Sequence, residues 1–154
     1  MATQGKSIEV FAREHRAGDA IPRVQQAAQA KVQYLRFALV LVGLIFTLGI
    51  YPLTVVWPSG WSWHTGHSDY LQMILGLYAT LGVCLLWASR KPLQHLSLIW
   101  FTVWSSLVHA GIMAAQSLVN PMNMGHLWGD VLALFLVAGL LGVLTPRGTN
   151  AESA

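Results

Sequence analysis

Four stretches of about twenty residues constrain this chain more than anything else in it. They are "FALVLVGLIFTLGIYPLTVV" (37–56), "YLQMILGLYATLGVCLLWAS" (70–89), "SLIWFTVWSSLVHAGIMAAQSL" (97–118) and "HLWGDVLALFLVAGLLGVLT" (126–145). Each is close to the ~20 apolar residues that cross ~30 Å of hydrocarbon. Inside a bilayer every backbone N–H and C=O must find a partner within the protein, which makes such segments helices. Charged residues are 10% of the 154, where a soluble domain carries about 25%. The expected fold is therefore all-α, an integral membrane four-helix bundle.

The rest of the chain is arranged around these spans. Residues 1–33 read as an N-terminal tail with a lead-in helix. Pro22 is suited to a first helical turn, and "RVQQAAQAKVQYLRFA" (23–38) is rich in helix formers that continue into the first span. Residues 34–148 form the membrane domain and 149–154 a short tail. The first apolar run lies behind a polar segment of 36 residues and is too long for a signal-peptide core, so it reads as a retained anchor. Pro52 is expected to kink or end the first helix. Cys84 is the only cysteine, sits in an apolar run, and reads as a small packing residue.

Charge sets the threading. All nine Lys and Arg lie before the first span, between spans two and three (Arg90, Lys91), or after span four (Arg147). The connections 57–69 and 119–125 have none. Basic residues stay on the cytoplasmic side, so both termini are expected there, with "WPSGWSWHTGHSDY" (57–70) on the outer side. Clustering of six of the nine basic residues in the first 36 positions fits a membrane-flanking segment and gives no sign of a nucleic-acid partner. The partner expected is the lipid bilayer, with a homo-oligomer or a larger membrane complex as further possibilities.

Trp57, Trp61 and Trp63 at an outer boundary match an interfacial aromatic belt. His64, His67 and Asp69 leave the same side as Met122, Met124 and His126. Imidazole with thioether suits copper, and imidazole with carboxylate suits zinc or ferrous iron. A metal held by His64, His67, His126, Met122 and Met124 is thus one expectation, against a plain wet rim.

Two ionisable groups fall inside the spans. His109 lies about 18 Å from the basic end of span three, and Asp130 about 6 Å below His126 in span four. Such groups are costly in lipid and normally face the bundle interior with a partner. His126 and Asp130 are four apart and share a helix face. The pairing expected across spans three and four is His109 with Asp130, bridged by water or a shifted helix end. His109, Asp130, His126 and Gln116 are therefore the candidate ligand- or cofactor-binding residues, with Gln72 also near the mouth. No particular cofactor is indicated. The histidines stand at unequal depths, which disfavours a bis-histidine haem. Gly125, Gly129 and the small residues Ser105, Ser106, Ala110, Gly111, Ala114 and Ala115 read as close-packing surfaces. Phosphate-loop, dinucleotide, zincin and nucleophile-elbow motifs are absent, and the spans read as intact.

The strings "YLRFALVLVGLIFTLGIYPL", "WPSGW", "GHSDYLQMILGLYATLGV", "SLIWFTVWSSLVHAGIMAAQ" and "GHLWGDVLALFLVAGLLGVLTPRG", covering roughly 34–148, together resemble the BphX-like family of small bacterial membrane proteins. The resemblance implies the bacterial inner membrane and proximity to genes for aromatic-compound breakdown. It implies no activity and no site residues. Three functions follow as expectations: a non-enzymatic accessory or complex-forming protein, an outer-face ligand, metal or redox site on His109, Asp130 and His126, and an oligomeric carrier of a small apolar molecule.

Overall fold

The computed structural model describes residues 25–63 and 68–146, and the described residues contain helix and connections with no strand. The chain divides into two units, Met1–Gln33 and Tyr34–Ala154. In the first, residues 25–33 are helical. Residues 1–24, including Pro22, and the tail 147–154 with Arg147 lie outside the described residues.

Four helices are long and apolar enough to cross a membrane: Gln25–Val56, Asp69–Ala88, Leu96–Val119 and the stretch Pro121–Leu144. We number them with the short pieces between. Helix α1 is Gln25–Val56, α2 the single turn Pro58–Trp61, α3 Asp69–Ala88 and α4 Leu96–Val119. The last stretch is divided. A 3-10 turn, Pro121–Asn123, leads to α5, Gly125–Trp128, and after Gly129 the chain restarts as α6, Asp130–Leu144. Span four was expected to be continuous. The break at Gly129, with φ −93° and ψ −107°, corrects that reading.

Pro52 does not end α1. The helix widens into a π-segment, Ile45–Gly49, where the Ile50 N–H reaches back to the Ile45 carbonyl, and then runs on to Val56. A proline ring clashes with the carbonyl four residues earlier, here Leu48. A π-turn just ahead absorbs that clash. Ser68 caps α3, its hydroxyl accepting from the Leu71 N–H at 3.3 Å.

Packing is uneven along the bundle. Its basic end, where Arg36, Arg90 and Lys91 lie, is tight: Leu35, Leu39, Leu85, Ile99 and Leu141 are wholly buried. Gly82 of α3 lies on Gly43 and Thr47 of α1, where a Cβ would strike the Thr47 hydroxyl and the Gly43 carbonyl. The Thr47 hydroxyl donates to that carbonyl at 2.7 Å. Helices α4 and α6 stay packed along their length through Val103, Ala110, Met113, Val131, Leu134 and Ala138. Of the small residues on α4, Ser106 and Ala110 are buried, while Gly111 and Ala115 are exposed, and a Cβ at Gly111 would meet nothing within 4 Å. In the other half, which carries Trp57, Trp61 and Trp63, α3 buries little: Tyr70, Met73 and Leu77 are exposed. There the helices part.

Candidate binding site

The gap left by this parting is a cavity of about 750 Å³. Its wall is drawn from α1, α3, α4 and α6 and is overwhelmingly apolar, with Ile45, Phe46, Ile74, Met113, Ala133 and Val137 among its residues. Leu41, Leu136 and Leu140 line it and are also 56%, 64% and 42% exposed on the outside of the bundle. The cavity therefore opens sideways between helices, where the surrounding medium of such a chain is lipid. Pockets of about 300–1,000 Å³ with apolar walls and few polar groups are the usual form of small-molecule sites.

The polar groups gather at the tryptophan end: Trp61, Trp63, Ser68, Tyr78, His109, Gln116 and Asp130. Asp130 organises them. It opens α6, directly after the break at Gly129, where a carboxylate is favoured by the helix dipole and the unpaired N–H groups. The Val131 backbone N–H lies beside it. Its Oδ2 accepts from the Trp63 indole N–H at 3.2 Å and bonds His126 Nδ1 at 3.0 Å. With the carboxylate ionised it only accepts, and the proton of that bond is then on Nδ1. Trp63 also lies flat on His126, centroids 4.1 Å apart and planes 22° apart. The two rings thus present their N–H groups side by side to one oxygen. The other oxygen, Oδ1, is buried and has no side-chain partner among the described residues. Asp130 as a whole is 7% exposed.

The turn α2 makes this possible. Gly125 and Gly129 pack on Ser59 and Gly60, so closely that a Cβ on either would strike a carbonyl of that turn. Small residues at these two positions were expected to pack closely. Their partner is the α2 turn, and that contact brings Trp61 and Trp63 over the break in span four. Trp61 lines the cavity, and its indole nitrogen is buried without a partner among the described residues.

His109 and Asp130 line the same cavity and interact electrostatically, with no direct hydrogen bond between them among the described residues. Asp130 is served by His126, four residues earlier, and by Trp63 from the segment after α2. His109 lines the cavity and meets the Tyr78 ring edge-on at 5.9 Å, and Tyr78 meets Phe46 likewise at 5.0 Å. An aromatic wall thus runs across α1, α3 and α4. Gln116, though exposed, also lines the cavity; Gln72, likewise exposed, does not, and His126 lies behind Trp63. A second depression, about 510 Å³, shares Trp63 and Gln116 with the first.

The metal expectation divides. His64 and His67 lie outside the described residues. Met122 and Met124 are 90% and 51% exposed while His126 is buried against Asp130, so the thioethers and this imidazole do not face a common point. Among the described residues no cluster of three His, Cys, Asp or Glu could hold a metal ion.

Trp57 is exposed as a belt residue would be, but Trp61 and Trp63 turn inward. They and Tyr78 are site residues that sequence reading passed over. Trp63 stands 67 residues before Asp130 in the chain, so no sequence signal joined them and only the folded turn makes the contact visible.

A model of the DUF6632 family, described as a family of unknown function, matches residues 29–153. No curated protein and no solved structure matches the chain.

Proposed function

We propose that this chain, which belongs to the family of unknown function DUF6632, is a multi-pass membrane protein that binds a largely apolar molecule entering sideways from the bilayer. The observation that carries this reading is the side-opening cavity of about 750 Å³ with its polar groups confined to one end. A ligand lying in it would place its apolar body along Leu41, Ile74, Met113 and Val137 and its polar end near Asp130, Trp61, His109 and Gln116. This is a binding role, in keeping with an accessory protein that stores, presents or passes on a hydrophobic compound. The positive-inside pattern supports an orientation with the polar end in the outer half of the membrane and both termini in the cytoplasm. The likeness to BphX-like proteins adds the bacterial inner membrane and aromatic compounds as the setting.

The test is direct. The protein purified in mild detergent is offered octylbenzene, an apolar probe, and occupancy is read by native mass spectrometry. Saturable binding of one probe per chain is expected, and Ala133→Phe, which puts a ring into the cavity, should abolish it while the melting temperature changes little. Equal, unsaturable uptake by both proteins would show partition into detergent and overturn the reading.

A further inference from the structure

The second depression, about 510 Å³, meets the cavity at Trp63 and Gln116, and its other walls are Ala115, Val119, Asn120 and Asn123. Three of these six residues carry carboxamides and none carries a charge. Gln116 lies in the last turn of α4, Asn120 follows the helix end, and Asn123 closes the 3-10 turn. The apolar span ends there, which is the depth of lipid head groups. Gln116 and Asn120 are exposed and Asn123 is half-buried, so a ligand reaches all three. The Asn120 carboxamide oxygen already accepts from the Met122 N–H at 3.1 Å, which leaves its NH2 to donate. The Gln116 and Asn123 carboxamides have no hydrogen-bond partner among the described residues.

The cavity also opens toward this depression. Tyr70 and Ile74 of α3, with Ile112 and Gln116 of α4, line the cavity and are exposed. Gln116 stands on the rim of that opening, where the depression begins. A chain lying in the cavity can therefore carry its head out past Gln116.

We propose, resting on the binding role above, that cavity and depression together hold a lipid with an uncharged, hydroxyl-rich head. Its chain lies in the cavity and its head on Gln116, Asn120 and Asn123. A carboxamide donates through its NH2 and accepts through its oxygen, and a hydroxyl likewise does both, so neighbouring hydroxyls pair with it in both directions. A phosphate head finds no counter-charge: neither lining holds Lys or Arg, and the connections 57–69 and 119–125 have none. An ammonium head finds no acid in the depression. The one acid of the cavity, Asp130, is 7% exposed and already bonded to Trp63 and His126. Sugars and glycerol both supply such a cluster of neutral hydroxyls.

The experiment compares five probes with one twelve-carbon chain on the full-length protein in a polyoxyethylene detergent: dodecyl glucoside, monododecanoylglycerol, dodecyl methyl ether, dodecyl phosphate and dodecylammonium. Occupancy is measured by native mass spectrometry at equal micellar mole fraction. The glucoside or the glycerol ester should bind about tenfold more tightly than the ether, the scale of one or two net hydrogen bonds. Whichever of the two is tighter names the source of the hydroxyls. Gln116→Leu combined with Asn123→Leu removes two carboxamides that hold nothing else. It should weaken the preferred probe severalfold and leave the ether and the melting temperature unchanged. Equal affinities for glucoside, glycerol ester and ether, with Ala133→Phe still abolishing all three, would overturn the head-group assignment and leave the cavity reading standing. A preference that survives the double substitution would overturn the role of these carboxamides. Tightest binding of the phosphate or the ammonium would overturn the assignment in favour of a charged head. Failure of every probe to saturate would remove the cavity reading and this assignment with it.

Discussion

The indole of Trp63 lies flat against the imidazole of His126, 4.1 Å between centroids, and both rings present nitrogen to the same oxygen of Asp130. This joins the turn after the first span to the interrupted start of the fourth. It also fixes how the end of the cavity is closed.

Replacing Trp63 by Phe keeps the stacking and removes one hydrogen bond. Such bonds within membranes average about 0.6 kcal/mol, so a small drop in melting temperature in detergent is expected. Trp63→Ala removes the stacked ring as well and should cost clearly more. Equal melting temperatures for both variants and wild type would mean that the contact holds nothing together.

Asp130→Ala should be more damaging than Asp130→Asn. Alanine leaves the Trp63 and His126 nitrogens without an acceptor in a buried place, at about 1–3 kcal/mol for the group left unmatched. Asparagine retains one carbonyl oxygen for them. The order wild type, Asn, Ala is expected in thermal unfolding, and the reverse order of the two variants would contradict the bonding described.

The glycines separate by position. A Cβ at Gly129 would run into the Gly60 carbonyl, and one at Gly82 into the Thr47 hydroxyl, whereas Gly139 has nothing within 4 Å. Overpacking of this kind costs about 1–3 kcal/mol. Gly129→Ala and Gly82→Ala should therefore destabilise, and Gly139→Ala should be neutral or slightly stabilising through helix propensity. Unfolding monitored by circular dichroism distinguishes the three.

The threading has its own test. In a Cys84→Ala background, a cysteine at exposed Ser59 should react with a membrane-impermeant maleimide on intact cells, and one at exposed Arg90 only after permeabilisation. The opposite pattern would reverse the orientation.

The number of spans was legible because length and hydropathy of a membrane segment are set by bilayer thickness. The helix limits at Asp69–Ala88 and Leu96–Val119 fall within one residue of the apolar strings at each end. The candidate site was legible in its acids and imidazoles, since an ionisable residue in an apolar run is conspicuous: His109, Gln116 and Asp130 do line one cavity. Its wiring was not. The expected His109–Asp130 pair allowed for a bridging water or a shifted helix end, and the direct partners of Asp130 are Trp63 and His126. A glycine at 129 fits a packing ridge and a helix break equally well, and only contact with Gly60 decides. Nor does hydropathy tell Trp57, which faces out, from Trp61 and Trp63, which turn in. The π-turn at Ile45–Gly49 is likewise set by local geometry around Pro52.

The central claim is that an apolar molecule occupies the side-opening cavity, and photolabelling tests it most directly. The protein in lipid nanodiscs is irradiated with octylbenzene bearing a diazirine at the chain end, and the adducts are mapped by peptide sequencing. Adducts concentrated on Ile74, Met113, Ala133 and Val137, all on the cavity wall, and suppressed by excess unlabelled octylbenzene, are expected. Adducts spread over outward-facing Phe37, Leu77 and Phe101 and indifferent to competitor would contradict the claim.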